Sequence, residues 1–411
     1  MNELRKTTLR SEVDFLVGFP FKSDGYSSDG VRLLRGDNIA QGTLSWSDAK
    51  KWPTSQCEDF EPYELQEGDI VLAMDRPWID AGLKYASVSR YDLPCLLVQR
   101  TARLRGGKNL DTKFLKYVIG SPQFTKYIKC ITTGSLVPHI SGDQIKDFGV
   151  QLPRLSTQKK IAAVLSALDA KIDCNNRINA ELEAMAKTLY DYWFVQFDFP
   201  DANGKPYKSS GGKMVYNPTL KREIPDGWGD RQLSQIANIT MGTSPIGESL
   251  NDSGEGVIFF QGSTDFGWQF PTVRLYTTQP ARMAKRGDIL LSVRAPVGDL
   301  NIAHLDCCIG RGLAALNSKD GFDGFLFYVM QYFKTIFDRR NSEGTTFGSI
   351  TKDDLHSLPL AYPTTDLLKK YDEVVSGYNQ MIFTRSMENQ QLTQLRDWLL
   401  PLLMNGQVTV A

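Results

Sequence analysis

The stretch from Thr157 to Trp193 constrains the fold most, because its apolar residues recur at alternating steps of four and three. This spacing averages 3.5 residues and is typical of a long helix with a coiled-coil seam. Ala, Leu, Glu and Lys dominate the stretch and no proline interrupts it, so helix propensity agrees with the pattern. At about 1.5 Å per residue the helix would extend about 55 Å, which is typical of a spacer. Its seam positions are Ile161, Leu165, Leu168, Ile172, Asn175, Asn179, Leu182, Ala186 and Leu189.

A second stretch near the end of the chain has the same spacing, with an offset of 210 residues from Ile161 to Tyr371. The two asparagines in the first seam predict a specific helical partner, because buried seam Asn fixes register at a cost in stability. The second stretch provides that partner within the same chain. Its seam positions are Tyr371, Val375, Tyr378, Ile382, Arg385, Asn389, Leu392, Arg396 and Leu399.

The residues before each helix test whether this agreement reflects a repeat, since any two amphipathic helices can be aligned. EGDIVLAM at 67–74 returns as RGDILLSV at 286–293. TTGSLVPHISGDQIKDFGVQLP at 132–153 returns as EGTTFGSITKDDLHSLPLAYP at 343–363, again with an offset of 210 residues between Ile140 and Ile350. Agreement in order, offset and loop composition predicts an internal repeat.

The repeat predicts an α/β (α+β) fold with two globular blocks related by a pseudo-two-fold axis and separated by two long antiparallel coiled-coil helices. Short β-like runs with Gly, Pro, Asn and Asp breaks fill the first block, and a helix broken near Pro122 follows them. Gly, Ser, Pro, Asn and Lys crowd the stretch after the first long helix, which predicts a linker. The predicted bounds are 1–152 and 223–362 for the blocks, 153–194 and 363–406 for the helices, and 195–222 for the linker.

Composition sets limits on the class of protein. A length of 411 residues allows two or three domains, and 41% hydrophobic with 23% charged residues is ordinary for a globular protein. The formal net charge of zero counts against a nucleic-acid binder but leaves room for a local basic face. No apolar run approaches the roughly 18 residues of a membrane helix, and the N-terminus has no signal-peptide core. The six cysteines form no CxxC pair, which favours free thiols and a cytoplasmic location.

Two blocks joined by paired helices would present two recognition surfaces at a fixed spacing. Such a geometry can contact two half-sites on one face of a duplex. The blocks differ in sequence, so they could recognise different half-sites. Aromatic residues near the helix ends could dock a further protein: Tyr190, Tyr192, Trp193, Phe194 and Trp398.

Several motifs in this order resemble the DNA-specificity (S) subunit of Type I restriction–modification systems. They are the Gly-Asp-Ile strand in each block, the TTGS and GTT loops that lead to Ile140 and Ile350, the proline before each long helix, and IPDGW at 224–228. IPDGW is similar to the segment that opens a recognition domain in that family. The first block has no such lead-in and begins at LRSEVDFLVGFPF. The resemblance covers nearly the whole chain.

The resemblance implies a non-catalytic subunit. Each block would be a target recognition domain that reads one half of a bipartite, asymmetric sequence in double-stranded DNA. The helices would set the unread spacer and dock two methyltransferase subunits, which would bring S-adenosylmethionine and methylate adenine N6 after base flipping. A restriction subunit, where one exists, would bring ATP and Mg²⁺ for translocation and cleavage. The chain itself would carry no cofactor and no membrane segment.

The residues themselves give little sign of catalysis. The chain contains neither the Asn/Asp-Pro-Pro-aromatic motif of amino-methyltransferases nor a GxxxxGK[ST] phosphate loop. Asp69 with Asp75, or Asp288 with Asp299, could be nuclease acids, but their spacing does not support this. Asp69 and Asp288 follow glycines before strands, which favours turn positions. The three histidines, His139, His304 and His356, lack ligand spacing, so we expect no metal site.

Candidate DNA contacts follow from the chemistry of groove recognition, in which Arg or Lys reads guanine, Asn or Gln reads adenine, and hydroxyls adapt to either. The Gly/Thr/Ser loops give Thr133, Ser135, His139 and Ser141, then Thr345, Thr346, Ser349 and Thr351. The polar stretches early in each block give Lys22, Ser23, Arg35 and Asn38, then Thr243, Ser244 and Gln261. The residues after the Gly-Asp-Ile strands give Arg76, Trp78 and Lys84, then Arg294 and Arg311. An ordinary turn or a solvated surface charge is the alternative at each position.

Two other functions stay open at this point. A two-headed, non-catalytic interaction scaffold with a coiled-coil spacer would also suit a neutral chain with 11% aromatic residues. An enzyme with a divergent active site is the third alternative, which the missing motifs disfavour. A salt titration separates the DNA-specificity subunit from the scaffold. DNA affinity falls as salt rises, with a log–log slope near −0.9 per phosphate contact, and the affinity of a scaffold for its partner should not.

Overall fold

The structure is a computed structural model. It describes residues 4–79, 81–132, 138–342 and 349–410. The chain forms two compact units. Unit 1 comprises Met1–Asp173 with Asn389–Ala411, and unit 2 comprises Cys174–Glu388. None of the helices described has the length and apolar character that a bilayer span requires.

Unit 1 combines a mixed sheet with helices. Its strands are β1 (Arg5–Thr8), β2 (Val13–Val17), β3 (Val31–Leu34), β4 (Gln41–Gly42), β5 (Lys51–Trp52), β6 (Ile70–Ala73), β7 (Trp78–Ile79), β8 (Gly82–Leu83), β9 (Tyr85–Ser87), β10 (Cys95–Leu97), β11 (Thr101–Gly106) and β12 (Gly149–Leu152). Its helices are α1 (Thr112–Ile119), α2 (Pro122–Ile131) and α3 (Gly142–Lys146), followed by the start of the long helix α4 (Leu155–Tyr190).

The central sheet of unit 1 has the order β2-β11-β6-β9-β4, with a smaller sheet β10-β3-β5 and a separate pair β1-β12. All four residues of β6 are buried, because both faces of the sheet are covered. Ile70 and Leu72 pack into one hydrophobic core, and Val71 and Ala73 pack into another. This division follows from the two-residue period of a strand.

Unit 2 has the same plan. Its strands are β13 (Met214–Asn217), β14 (Arg222–Pro225), β15 (Gly229–Gln232), β16 (Ala237–Met241), β17 (Leu250–Asn251), β18 (Val257–Phe260), β19 (Leu275–Thr277), β20 (Met283–Ala284), β21 (Ile289–Ser292), β22 (Leu300–Ile302), β23 (Cys307–Ile309), β24 (Leu313–Ser318) and β25 (Pro359–Tyr362). Its helices are α5 (Leu233–Ile236), α6 (Asp323–Ser342) and α7 (Lys352–His356), with the first part of the long helix α8 (Thr365–Met404).

Strand order shows the repeat directly. The order β16-β24-β21-β22 in unit 2 matches β2-β11-β6-β9 in unit 1, and the pair β15-β25 matches β1-β12. A parallel pair of strands also recurs at the same place in each unit, β3 with β10 in unit 1 and β18 with β23 in unit 2. The predicted α/β (α+β) fold with a duplicated block and long helices is therefore confirmed.

The long helices pair antiparallel within unit 2. The Asn175 side chain donates to Glu388 at 2.8 Å, and the Asn179 side chain donates to Ser386 at 3.2 Å. Further along, the hydroxyl of Tyr371 donates to a main-chain oxygen of α4 at 3.3 Å. Seam residues that are buried in unit 2 include Leu182, Val375 and Ile382, while Leu189 and Tyr378 are partly buried against the same helices and α6.

In unit 1 a cluster of charged side chains joins the helices. Asp169 of α4 accepts from Arg396 of α8 at 3.1 Å, from Lys116 of α1 at 2.6 Å and from the Tyr117 hydroxyl at 2.8 Å. Burial raises the pKa of Asp169, but these cationic and hydroxyl partners outweigh it and leave the pKa below its usual value. The seam residues of this unit are buried at Ile161 and Leu165 and partly buried at Leu168, Ile172, Asn389, Leu392 and Leu399.

The stretch expected to be a linker, 195–222, is folded. Phe197 is buried, and the ring of Phe199 stacks on Tyr207 at 4.7 Å and on Trp228 at 5.4 Å. Asp198 accepts hydrogen bonds from the backbone and side chain of Ser209 at 2.7 and 2.6 Å. Aromatic anchors therefore hold a segment whose Gly, Ser and Lys content indicated a flexible chain. The functional domain bounds stay a prediction.

Candidate nucleic-acid interface

In unit 1, four loops meet beyond the ends of the central strands. The amide of Gly18 donates to the carbonyl of Thr101 at 3.0 Å, and the amide of Ile140 donates to the carbonyl of Met74 at 2.9 Å. A Cβ at Gly18 would clash with the carbonyl of Val98, so only glycine permits this close approach. The loops after β2, β6 and β10 and the loop before α3 are thereby held at one end of the sheet.

Unit 2 uses the same backbone hydrogen bonds. The amide of Gly242 donates to the carbonyl of Leu313 at 2.9 Å, and the amide of Ile350 donates to the carbonyl of Val293 at 2.9 Å. A Cβ at Gly242 would clash with the carbonyl of Gly310. We call these two regions the loop end of unit 1 and the loop end of unit 2.

A charged triad lies at the loop end of unit 1. The carboxylate of Asp75 contacts Arg100 at 2.7 Å and Nδ1 of His139 at 2.5 Å, and a β-bridge joins Asp75 and His139. Burial raises the pKa of Asp75, but hydrogen bonds from His139 and Arg100 outweigh it and lower the pKa below its usual value. Asp75 therefore stays ionised and holds two nitrogen-bearing side chains, of which Arg100 is 69% exposed.

Arg100 of this triad and the neighbouring Arg76 have left-handed backbone conformations. The φ angle is 44° at Arg76 and 63° at Arg100. Such a conformation costs a non-glycine residue on the order of 1–3 kcal/mol and is concentrated at functional sites. The amide of Arg76 donates to the carbonyl of Pro138 at 2.7 Å, which holds the turn in place. The backbone that carries each guanidinium group therefore has a defined conformation.

An aromatic–cation pair borders the triad. Trp78 begins the hairpin β7-β8, and its indole N–H donates to the Thr132 hydroxyl at 3.3 Å. The Lys129 ammonium lies 4.5 Å from the centre of the indole ring. Lys84 follows the hairpin and is partly exposed, with its amide bonded to Pro77. Trp78 thus serves as a support as much as a surface group.

The early polar stretch of unit 1 divides into exposed and buried residues. Lys22 and Ser23 are exposed at a short 3₁₀ turn. The side chain of Arg35 is 40% exposed beside Asp37. Asn38 is only 6% exposed, and its carboxamide accepts from the Arg35 amide at 3.0 Å and donates to the Ser45 carbonyl at 3.0 Å. Asn38 therefore shapes the turn that presents Arg35.

The hydroxyl residues before α3 and α7 have a structural task. Ser141 caps α3 by accepting from the Gln144 amide at 3.2 Å, and Thr351 caps α7 by accepting from the Asp354 amide at 3.2 Å. Each forms a capping box, which satisfies amides at the helix N-terminus. The remaining predicted loop residues, Thr133, Ser135, Thr345 and Thr346, lie outside the described residues.

The loop end of unit 2 carries a different set of side chains. Thr243 is exposed, and Ser244 exchanges a 3.2 Å hydrogen bond with the exposed carboxamide of Gln261. Arg311 is exposed between Gly310 and Gly312, whose amides bond to Phe260 and Gln261. A Cβ at either glycine would clash with Gln261, so the two chain segments touch directly.

Arg294 occupies the place in unit 2 that Asp75 has in unit 1. It is exposed at the end of β21 and forms a β-bridge with Ser349, as Asp75 does with His139. Within the described part of the chain, no acidic side chain pairs with Arg294. The unit 2 position thus carries a cation where unit 1 has a carboxylate.

Sequence reasoning missed two residues at these ends, Arg100 and Lys129. Arg100 lies in the gap between β10 and β11, but the run 95–104 reads as one strand, which would make Arg100 an ordinary strand residue. Lys129 lies on α2, and only the fold brings it over the Trp78 ring. No local signal distinguishes either residue from a solvated charge.

Two of the four aspartates considered as nuclease acids, Asp69 and Asp288, hold turns. Asp69 and Asp288 are buried and accept from the amides of Gln66 and Lys285, each at 2.8 Å. Both follow a glycine with positive φ in the same tight turn. Across the described ranges, no three His, Cys, Asp or Glu side chains converge as metal ligands.

The duplicated fold presents exposed cationic side chains at the loop end of each unit. Comparison with known proteins agrees. A family model described as the Type I restriction modification DNA specificity domain matches residues 28–184 and again 225–375. A Methanocaldococcus jannaschii protein, named as the Type I restriction enzyme MjaX specificity subunit, is 32% identical over 362 residues, which cover 86% of this chain and 81% of that protein.

Two further relatives are similar over different extents. The Type I restriction enzyme EcoAI specificity subunit of Escherichia coli is 38% identical over 181 residues, 44% of this chain and 30% of that protein. The crystal structure of the S subunit of a Type I system from M. genitalium has a TM-score of 0.60 at 16% identity, covering 98% of this chain and 96% of that chain, and agrees in fold.

The chain belongs to the family of DNA-specificity subunits of Type I restriction–modification systems. Its role is DNA specificity, which is a non-catalytic role.

Proposed function

We propose that each unit reads one half of a bipartite, asymmetric sequence in double-stranded DNA through its loop end. The observation that carries this proposal is the shared backbone frame with different side chains. Gly18 and Gly242 make equivalent hydrogen bonds, yet Asp75 in one unit is replaced by Arg294 in the other. A constant frame with variable side chains is what two different half-sites require.

In unit 1, Arg76 and Arg100 are the base-reading candidates, because a guanidinium pairs with two acceptors of guanine. His139 adds a ring nitrogen beside them. Lys22, Arg35 and Lys84 are suited to phosphate contacts. Such contacts fix the position of the protein on the DNA but carry no sequence information. Trp78, Ser141 and Asn38 support this surface from below, as their hydrogen bonds indicate.

In unit 2, Arg294 and Arg311 are the guanine-reading candidates and Gln261 is the adenine-reading candidate. Thr243, Ser244 and Ser349 supply adaptable hydroxyls. Thr351 caps α7 and acts indirectly through the loop. Thr133, Ser135, Thr345 and Thr346 remain candidate contacts on sequence grounds alone.

The partners follow from the family. We infer that two methyltransferase subunits associate with the chain and carry S-adenosylmethionine, and that ATP and Mg²⁺ belong to a restriction subunit where the system has one. Methylation at adenine N6 is their chemistry. The long helices α4 and α8 would set the unread spacer between the half-sites. The scaffold alternative is disfavoured by the family match to DNA specificity.

A methylome tests this proposal. The chain is expressed with its own methyltransferase subunit in a host without DNA methylation, and modified adenines are mapped by single-molecule sequencing. The expected result is one bipartite motif with a fixed unread spacer, absent when the chain is omitted. Co-purifying proteins that produce no modified motif would contradict the proposal.

A paired insertion tests the spacer helices separately. One helical turn is added after Ala180 and another after Gln390, 210 residues later, so that both helices lengthen together. We expect a longer unread spacer with both half-sites unchanged, since the loop ends are untouched. Altered half-sites would show that the helices do not act as a ruler.

A further inference from the structure

A cleft in unit 2 has features that DNA recognition does not use. It lies between α4, the loop 263–268 and α6, and its volume is about 590 Å³. The side chains that matter most are Glu183 on α4, Trp268 in the loop, and Tyr328 and Gln331 on α6. Thr243, Gln261, Arg294, Arg311 and Ser349, the candidate DNA contacts of this unit, do not line it.

Glu183 brings an uncompensated charge to this cleft. Its carboxylate accepts one long hydrogen bond, 3.5 Å, from Gln331, and no cationic side chain among the described residues pairs with it. The two lysines of the cleft are already paired, Lys187 with Asp191 at 2.5 Å and Lys334 with Asp299 at 3.1 Å. Burial raises the pKa of Glu183. A partly buried carboxylate without a cation lacks the partner that such groups ordinarily have.

Tyr328 is a second, independent sign of a missing ligand. The residue is 1% exposed, yet its hydroxyl has no hydrogen-bond partner within the described structure. A buried hydroxyl without a partner is costly and calls for an explanation. Glu183 and the Tyr328 oxygen together offer acceptors for a ligand with several N–H donors.

The rim of the cleft is aromatic. Trp268 is 52% exposed and Tyr332 is 37% exposed. Exposed aromatic rings around a charged centre are the composition of protein–protein hot spots, where Trp, Tyr and Arg are enriched. DNA is an unsuitable occupant, because its phosphates would be repelled by Glu183. Arginine is suitable, since its planar guanidinium has five donors and stacks on aromatic rings.

We propose that this cleft receives an arginine side chain of the methyltransferase subunit. The guanidinium would donate to Glu183 and to the Tyr328 hydroxyl oxygen while Trp268 covers it. This inference rests on the proposed function, which supplies the partner. It adds the chemistry of the contact and its location in unit 2.

The contact is specific to one unit. The position in α8 that lies 210 residues after Glu183 is Thr393, which carries no charge. A carboxylate–guanidinium pair at this place therefore belongs to unit 2 alone. Its loss should weaken the binding of one methyltransferase subunit and leave a second subunit bound.

The test compares Glu183→Lys with the matched control Glu181→Lys in the full-length chain. Glu181 is an exposed acid on the same helix, so the control makes the same charge change outside the cleft. Affinity for the methyltransferase subunit is measured by interferometry, and the stoichiometry by native mass spectrometry. We expect Glu183→Lys to weaken one binding step about 30-fold or more, which is typical of a lost partly buried charge pair, while Glu181→Lys changes it less than about threefold.

Conservative variants separate the contact from a folding defect. Glu183→Gln keeps the shape, Tyr328→Phe removes only the hydroxyl, and both should retain the circular dichroism spectrum and melting temperature of the wild type. We expect about tenfold weaker binding for the first and a few-fold for the second. Equal affinity of Glu183→Gln, Glu183→Lys and wild type would overturn the inference. A wild-type chain that binds no methyltransferase at all would instead overturn the proposed function.

Discussion

The two loop ends share a backbone frame and differ in how they present charge. In unit 1, Asp75 holds Arg100 by an ion pair and His139 by a hydrogen bond. In unit 2 the matching place carries Arg294, and Arg311 is flanked by two glycines. A carboxylate orients Arg100 in unit 1, whereas an arginine stands at the matching place in unit 2. The repeat therefore preserves backbone hydrogen bonds while its side-chain chemistry varies.

The helix pairs differ in a parallel way. Asp169 in unit 1 binds two cations and a tyrosine hydroxyl, whereas the residue 210 positions later in unit 2 is Asn379. Unit 2 relies instead on seam contacts from Asn175 and Asn179. The two units therefore depend on different interactions for the same helix packing.

Exchanging a whole block should change the recognised DNA sequence more than any other variant. Residues 223–362 are replaced by the corresponding block of another family member. Because unit 1 keeps its loop end, we expect one half of the methylated motif to change completely and the other half to stay the same, as read by methylome sequencing. A change in both halves would show that the units do not read independently.

Removing the ion cluster should destabilise unit 1 more than a matched change destabilises unit 2. Asp169→Ala leaves Lys116 and Arg396 without a shared partner, and breaking such a partly buried cluster should cost about 2–3 kcal/mol. The matched variant Asn379→Ala should cost about 1 kcal/mol or less. Hydrogen exchange of unit 1 and unit 2 peptides measures each effect, and equal losses in both units would contradict the comparison.

The same cluster predicts a pH dependence. The pKa of Asp169 is lowered in the folded chain, so its contribution is complete above the unfolded value of about 3.9 and is lost as pH falls through the folded value. Asp169→Ala should therefore flatten the acid limb of the stability curve, measured by denaturant titration at pH 3 to 6. An unchanged acid limb would show that other carboxylates dominate.

Single arginine variants at the loop ends should change DNA binding less than a block exchange. Each should affect only one half-site. Arg100→Ala should relax specificity in one half-site and Arg311→Ala in the other, each weakening specific binding about tenfold, as expected for a lost guanine contact. Competition binding with half-site variants of the target measures this selectivity. Uniform weakening across all sequences would assign both residues to phosphate contacts.

The fold was largely predictable because its signals are periodic. The 3.5-residue spacing from Ile161 to Leu189 predicted one long helix, and the 210-residue offset predicted the second and the duplication. The contacts that order the predicted linker 195–222 could not be predicted, because Phe197 and Phe199 meet Trp228 only in three dimensions. Composition is a poor guide to order in a segment that a few aromatic contacts hold in place.

The site was predictable only in part, since residue type does not reveal where a hydrogen bond goes. Asn38, Ser141 and Thr351 have the chemistry of base contacts, yet backbone groups occupy their polar atoms. Arg100 was hidden within an apparent strand, and its left-handed φ is visible only in the structure. Asp75 orients Arg100 through a contact between residues 25 positions apart, which the sequence does not reveal.

The smallest effect should come from Asp75→Asn, and it distinguishes orientation from charge. The variant keeps the shape of Asp75 but removes the negative charge that holds Arg100 and His139. We expect discrimination between specific and non-specific DNA to fall about threefold, while non-specific affinity is unchanged or slightly raised because one repulsive charge near phosphate is gone. Asp147→Asn, which breaks an exposed ion pair with Arg10 at 2.8 Å, is the matched control and should leave discrimination unaltered. If both variants lowered discrimination equally, Asp75 would have no orienting role, and the contrast between the two loop ends would reduce to net charge.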